Sequence, residues 1–331
     1  MSELQLKAPL TVNWTLNNSC NFACQHCYSR VETEPELATT VILSALQKVA
    51  SWGVLAVNFG GGEPLLRPEL ADIVSFAAKS GLRVSLNTNG FLVDRDLAMS
   101  LAEAGVHKVG ISIDSHLQEF HDAFRGVPGS FDRAVAAVGH FQAAGVRTTL
   151  STVICRINHR HGRELFALAT ELGVEQINFH NFKCSGLGYA NRDELDLSPV
   201  EWKDFYREAL NLRGESGPAI SFDDPIIASL GMRGESSLVK GSICGKLSLA
   251  IKANGDITPC GFIPSVIGNV VADDLAKVWQ DSTVLHALRH KKATGKCGGC
   301  DHYSKCLGGC SARALAMTGD VNSPDPHCWE E

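Results

Sequence analysis

The chain has 331 residues, a formal net charge of −6, 44% hydrophobic and 20% charged residues, and 12 cysteines. That length suits one large α/β domain with a smaller companion, and the mild acidity without a long Lys/Arg run gives no electrostatic reason to expect nucleic acid or an anionic membrane surface as partner. The N-terminus has no apolar signal region and no apolar run approaches a membrane span, so the cysteines point to metal rather than disulfides and the expected compartment is the cytoplasm.

In chain order, 9–16 alternates toward β and delivers the chain into Cys20-Asn21-Phe22-Ala23-Cys24-Gln25-His26-Cys27-Tyr28. Thiolates select zinc or iron–sulfur clusters. A zinc site usually closes with four ligands, and His26, the nearest fourth donor, lies between two of the cysteines, where loop geometry disfavours joint ligation. Three thiolates on one short loop suit a 4Fe–4S cluster with one iron left open.

After this loop one punctuation recurs. Gly53, Gly81, Gly105, Gly145 and Gly173 each follow a helical segment and open an apolar, β-branched run, as a left-handed glycine does when a helix stops and a strand starts at once. Helices are expected at 39–51, 67–79, 94–104, 130–143 and 159–172, and strands at 54–59, 83–87, 108–113, 147–153 and 176–180. With the first strand this makes six parallel strands joined by right-handed crossovers. Periodicity fits an open partial barrel and a doubly wound sheet equally. In both, ligands gather at the C-terminal ends of the strands.

Those ends carry the candidate contacts. Strand two runs into Gly60-Gly61-Gly62-Glu63-Pro64, where glycines permit close backbone approach to a ligand and proline stiffens the exit. Strand three ends at Asn87-Thr88-Asn89, strand four at Ser112-Ile113-Asp114, and strand five near Ser151 and Thr152. Arg125 is placed to clamp a carboxylate. Cys155 reads as a packed thiol, whereas Cys184, just after strand six, falls on the reactive face. The five tryptophans read as packing residues.

Beyond Tyr189 the βα rhythm is expected to stop. Ser198-Pro199 opens a capped helix to 212, and 214–234 is a glycine-rich connection. Seven cysteines then follow: Cys244 and Cys260 flanking a hairpin turn at Ala253-Asn254-Gly255-Asp256, Cys297-x2-Cys300-x5-Cys306-x3-Cys310, and Cys328. Zinc ribbons are the plain alternative for C-x2-C pairs, but seven thiolates leave one site short of four.

The C-x3-C-x2-C loop with its following aromatic, Tyr28, and the Gly61-Gly62-Glu63-Pro64 stretch resemble the signatures of the radical S-adenosylmethionine (SAM) enzymes, and the C-terminal set is similar to their SPASM extension. The resemblance implies a partial (β/α)6 TIM-like barrel at 1–185, a bridging region at 186–240, and a cysteine-rich SPASM domain of hairpin and helices at 241–331. It implies a SAM-binding 4Fe–4S cluster on Cys20, Cys24 and Cys27, and SAM contacts from Tyr28, Gly61, Gly62, Glu63, Pro64, Asn87, Ser112, Asp114 and Arg125. Two auxiliary Fe–S clusters are implied, one on Cys244, Cys260 and Cys310 and one on Cys297, Cys300, Cys306 and Cys328. The implied activity is cleavage of SAM to a 5′-deoxyadenosyl radical that abstracts hydrogen from a peptide or protein, making the enzyme a maturase fed by a flavodoxin- or ferredoxin-type donor, with a separate leader-binding protein presenting the peptide. The tail from Cys306 to Cys328 looks similar to that of tetrapyrrole-modifying enzymes of alternative haem pathways, the second reading. A third is a non-catalytic Fe–S scaffold, against which the SAM-type glycine loop argues. Gly261, where the sulfatase-maturing branch has an acid, disfavours that branch.

Overall fold

The computed structural model describes residues 6–29, 33–231 and 240–331; residues 1–5, 30–32 and 232–239, which include the end of the glycine-rich connection, lie outside the described residues. All five punctuating glycines have positive φ, from +63° at Gly173 to +103° at Gly105, a conformation costing residues with a Cβ roughly 1–2 kcal/mol. They separate strands β1 (Thr11–Thr15), β2 (Ala56–Gly60), β3 (Arg83–Thr88), β4 (Val106–Ser112), β5 (Arg147–Ile154) and β6 (Gln176–Asn181) from helices α1 (Thr39–Trp52), α2 (Leu70–Lys79), α3 (Arg95–Ala104), α4 (Gln118–Arg125), α5 (Ser130–Ala143) and α6 (Gly162–Glu171). The six strands lie side by side in sequence order, every pair parallel.

Two features extend this frame. The rhythm does not stop after β6: the helix Pro199–Asn211, closed by a Ser198–Glu201 capping box, leads into β7 (Ala219–Phe222), which pairs parallel to β6. That strand is four residues long inside a glycine-rich stretch, too short for periodicity to reveal it. At the other edge β8 (Ser248–Ile251) pairs parallel to β1, and β9 (Asp256–Thr258) and β10 (Gly268–Asn269) follow antiparallel, giving one open sheet of ten strands among the described residues. The C-terminal cysteine region is thus hydrogen-bonded to the strand that feeds the N-terminal cysteine loop.

The two faces of the sheet differ. Trp14, Phe59, Leu86, Ile111, Leu150 and Ile177 point toward the helices and are at most 1% exposed, each burial contributing about 1.5–3 kcal/mol. The opposite face presents Asn13, Asn58, Asn87, Ser151, Asn178 and Ser221, all at least partly exposed. Gly110 sits between them because a Cβ there would come within 2.5 Å of Asn87 Oδ1 and 2.9 Å of Ser151 Oγ. The tryptophans pack as expected: Trp14, Trp202 and Trp279 are buried, Trp52 stands edge-on to Trp279, and Trp329 lies against Tyr206.

The C-terminal segment is tied down by one buried cation. Arg313, on the helix Ser311–Thr318, donates to Asp325 Oδ1 at 2.6 Å and to Asp224 Oδ1 at 3.0 Å. Tyr206 Oη and Asn181 Nδ2 also donate to Asp224, and Asp325 Oδ2 accepts from the Cys310 amide at 2.7 Å. One guanidinium therefore joins the end of β7, the last helix and the C-terminal tail. No helix among the described residues is long and apolar enough to cross a membrane.

Replacing Arg313 with Met strands two buried carboxylates, and breaking a buried ion pair by removing one partner costs about 3–5 kcal/mol. Urea unfolding of R313M should show a loss of that order, whereas a loss under 1 kcal/mol would mean the network is relaxed or hydrated.

Candidate active site

The Cys20–Cys27 loop leaves the end of β1 and is held from four sides. Leu16 N donates to Gly60 O at 2.9 Å, Gly62 N to Asn17 O at 2.8 Å and Glu63 N to Ser19 O at 2.8 Å, so the loop runs as a ribbon against the glycine loop. A Cβ on Gly62 would lie 2.0 Å from Ser19 O, and one on Gly61, at φ +142°, 2.5 Å from Asn17 O. These glycines are thus required by the neighbouring backbone, whereas the sequence suggested approach to a ligand. On a second side Ala23 N and Gln25 N donate to the carbonyls of Arg125 and Phe124 at the end of α4. On a third, Leu187 N donates to Cys27 O, and Gly186 is needed because a Cβ there would approach Tyr28 O to 2.5 Å. On the fourth, Asn89 Nδ2 donates to Asn21 Oδ1 at 2.8 Å.

Each of the three sulfurs has a polar group nearby: Phe22 N lies 3.4 Å from Cys20 Sγ, Arg125 Nη1 3.8 Å from Cys24 Sγ, and Ser29 Oγ, which donates to Gly61 O at 3.2 Å, 3.6 Å from Cys27 Sγ. Burial pushes the Cys20 thiol up to about 11 and raises Cys24 against the opposing pull of Arg125. Such thiols ionise when a bound metal offsets the burial, and donors aimed at sulfur set a cluster's potential. The donor set fits a three-thiolate cluster. His26 is not a fourth ligand; its ring stacks on Phe124 at 4.5 Å, and burial pushes its pKa down to about 3. Among the described residues no three His, Cys, Asp or Glu side chains are arranged to hold a single metal ion.

The expected SAM contacts divide into two groups. Gly61, Gly62, Asn87, Ser112 and Ser151 border the partly exposed polar face or the cysteine loop. Glu63, Asp114 and Arg125 serve the scaffold. Glu63 is 1% exposed and its carboxylate accepts from Leu65 N, Thr88 Oγ1 and Asn89 N, locking the exit of β2 onto the end of β3, with Pro64 buried at the start of the 3-10 turn Pro64–Leu66. Asp114 accepts Arg125 Nε at 2.6 Å and Val153 N at 2.9 Å. Burial pushes its carboxyl up, but Arg125, with His26 and His121, holds it below the usual carboxylate range. The Arg125 clamp is thereby aimed at Asp114 and Cys24, not held open for a ligand. Thr152 is buried and donates to Ile113 O. Tyr28 turns toward the C-terminal region, its ring 4.7 Å from Phe262 and packed over Gly261.

The later cysteines form two neighbourhoods. Cys244 is lowered to about 7 by a hydrogen bond from Cys260, whose own thiol is raised by that partnership, and Cys310 feels the Cys244 charge. In the second group Cys297 and Cys300 lie within electrostatic reach of Cys328, as does Cys306, which burial pushes up to about 12. Cys155 is fully buried, and Cys184 donates to Asp196 Oδ2 at 3.4 Å, which also meets His327 Nε2 at 2.9 Å. Lys183, the neighbour of Cys184, bears on the first of these neighbourhoods: its charge reaches Cys244 and Cys310, and its Nζ stands 5.6 Å over the Phe262 ring. The sequence signal beside Cys184 was a single lysine without a motif.

Comparison with known proteins agrees with this geometry. The profile of the Radical SAM superfamily matches residues 14–169, and that of the SPASM iron–sulfur cluster-binding domain matches 244–301. The AdoMet-dependent heme synthase of Methanosarcina barkeri is 31% identical over 97% of this chain and 96% of its own. The mycofactocin maturase MftC of Mycobacterium tuberculosis is 32% identical over 98% of this chain and 84% of its own. Among solved structures, Streptococcus suis SuiB bound to its precursor peptide SuiA superposes with a TM-score of 0.82 at 17% identity, covering 98% of this chain and 77% of that one. SAM-bound anSMEcpe superposes at 0.77.

Glu63 gives a pH signature. Burial raises it from 4.5 to about 7 in the fold, so its contribution to stability is full below about pH 4.5 and is lost as pH rises through about 7. Wild type should therefore lose stability relative to E63Q across that window in urea unfolding; parallel curves would show that Glu63 titrates normally.

Proposed function

The chain belongs to the radical SAM superfamily and carries its SPASM extension, and on that premise we propose that it oxidatively modifies a peptide or protein. It is an enzyme of SAM and 4Fe–4S chemistry. When bound, the N-terminal cluster supplies the electron that splits SAM into methionine and a hydrogen-abstracting 5′-deoxyadenosyl radical. Cys20, Cys24 and Cys27 would hold that cluster. Asn87, Ser112 and the backbone of Gly61 and Gly62 would orient SAM, and Arg125 would set the charge beside Cys24.

The observation that carries the substrate reading is the inner face of the sheet. Asn13, Asn58, Asn87, Asn178 and Gln176 line it with amide groups, the chemistry that pairs with a peptide backbone rather than with the apolar faces of a macrocycle. The name of the 32%-identical maturase supports this. A tetrapyrrole substrate is the second reading, supported by the heme synthase relative, which this chain matches end to end at 31% identity. Within either reading the two thiolate neighbourhoods would hold two auxiliary clusters, the nearer on Cys244, Cys260 and Cys310 with three protein ligands. That arrangement would leave an iron free to accept substrate or an electron. A low-potential flavodoxin or ferredoxin would feed the first cluster, and a separate leader-binding protein would present a peptide.

The test is anaerobic turnover of the iron-reconstituted protein with SAM and reductant, given a candidate peptide or a decarboxylated sirohaem. The peptide should gain a mass change with stoichiometric 5′-deoxyadenosine, and conversion of the macrocycle instead would select the second reading. C20A, C24A or C27A should lower iron by about four atoms per chain and abolish 5′-deoxyadenosine; survival of that product would remove the assignment of the cluster. C244A should lower product formed per 5′-deoxyadenosine at least tenfold, and an unchanged ratio would exclude a role for that site in the later steps.

A further inference from the structure

We propose that His180 and Asp223 are the proton-accepting pair of the oxidation, set one side chain away from the electron-accepting cysteine site. This rests on the reading above that Cys244, Cys260 and Cys310 hold an iron–sulfur cluster and that the substrate is a peptide. His180 is the last side chain on the polar face of β6; Gln176 and Asn178, four and two residues earlier, share that face and hydrogen-bond to each other. Its Nδ1 lies 3.4 Å from Asp223 Oδ2, immediately beyond the end of β7. The other oxygen, Asp223 Oδ1, accepts the Asn181 amide at 3.3 Å, which fixes the carboxylate against the β6 backbone. The two side chains are 40% and 39% exposed, so the pair faces the open side of the sheet, at the strand ends where ligands of parallel sheets bind.

An ionised carboxylate can only accept, so Asp223 selects the tautomer with the proton on Nδ1 and leaves the lone pair on Nε2. That is the arrangement of an oriented general base. The charged groups around His180 are Asp223 and, across it, Lys183, whose Nζ lies 4.0 Å from Asp223 Oδ2 and hydrogen-bonds to Asn181 Oδ1. Lys183 in turn stands over Phe262, against which Tyr28 of the first cysteine loop packs. Asp223 is thus shared by an imidazole on the substrate side and an ammonium on the side of Cys244 and Cys310.

The chemistry needs both. Once hydrogen is abstracted from the peptide, closing a bond from that carbon to a neighbouring X–H group, with X sulfur or nitrogen, forms C–X and breaks X–H. One proton and one electron must leave. His180 Nε2 takes the proton, and Cys244, Cys260 and Cys310 would hold the iron–sulfur cluster that would supply the acceptor for the electron. Asp223 stabilises the imidazolium, and Lys183 stabilises the added negative charge at the cysteine site, so neither charge must cross the protein. His180 is the catalytic base, and Asp223 and Lys183 are positioning residues.

The experiment compares wild-type holoenzyme with H180Q, H180A and D223N, measuring product formed per 5′-deoxyadenosine across pH, with a peptide and with a propionate-bearing tetrapyrrole. The expected result is peptide product whose ratio to 5′-deoxyadenosine falls about 100-fold in H180Q, the lower end of general-base effects, and about tenfold in D223N. The acid limb of the wild-type pH–rate profile should vanish in H180Q, and added imidazole should restore product in H180A, which a merely structural histidine would not allow. A wild-type ratio and pH profile in H180Q, with peptide turnover intact, overturns the assignment of the base alone. Release of carbon dioxide from the tetrapyrrole by wild type, with the peptide untouched, overturns the peptide reading and this base with it, because oxidative decarboxylation of a carboxylate releases an electron but no proton.

Discussion

The structure depends on the backbone contact between the first cysteine loop and the glycine loop. Gly62 N to Asn17 O and Glu63 N to Ser19 O, each 2.8 Å, continue the pairing of β1 and β2 past the end of the sheet. This contact places three thiols at the strand ends without any of them entering a regular element. It also explains why two consecutive residues must be glycine: the distance to the partner backbone leaves no room for a Cβ. The Glu63 carboxylate carries the same lock one strand further, to Thr88 and Asn89. Cluster loop, glycine loop and the end of β3 are in effect one polar assembly, stiffened by hydrogen bonds because buried polar groups without partners are costly.

A second constraint joins the C-terminal cysteines to this assembly. β8 lengthens the sheet at β1, and Arg313 binds two carboxylates from distant parts of the chain. The two ties act at opposite edges of the open sheet, and Tyr28 and Phe262 meet between the first cysteine loop and the loop after Cys260. The Asp325-Pro326-His327-Cys328 tail, which the sequence associated with tetrapyrrole enzymes, is spent on this architecture: Asp325 on Arg313 and the Cys310 amide, His327 on Asp196 and the Trp202 ring. It therefore argues for a way of closing the domain rather than for a substrate.

The polar inner face shows how far residue type can be read without coordinates. The apolar, β-branched runs of β2, β3 and β6 were visible, and so was the ending of each strand. Which of the polar residues at those ends face the ligand was not. Asn87 and Asp114 look alike as short polar groups after a strand, yet one borders the open face and the other is buried against Arg125. The difference arises because a side chain just past the last residue of a strand is free of the alternation and turns toward whichever partner charge lies nearest.

By itself the sequence determined the first six strands and the helices that precede a glycine stop, though not α4, because a helix stop needs glycine at positive φ and a strand needs β-branched apolar residues, both local properties. The candidate cluster loop was legible too, since cysteine spacing on a short loop is local chemistry, and the resemblance supplied a proposed division of the later cysteines. Only the tertiary structure decided the seventh strand, the sharing of one sheet by both cysteine regions, and the meeting of His180, Lys183 and Asp223. Those depend on residues about forty positions or more apart, whose pairing is set by the packing of the whole sheet and leaves no periodic mark in the chain.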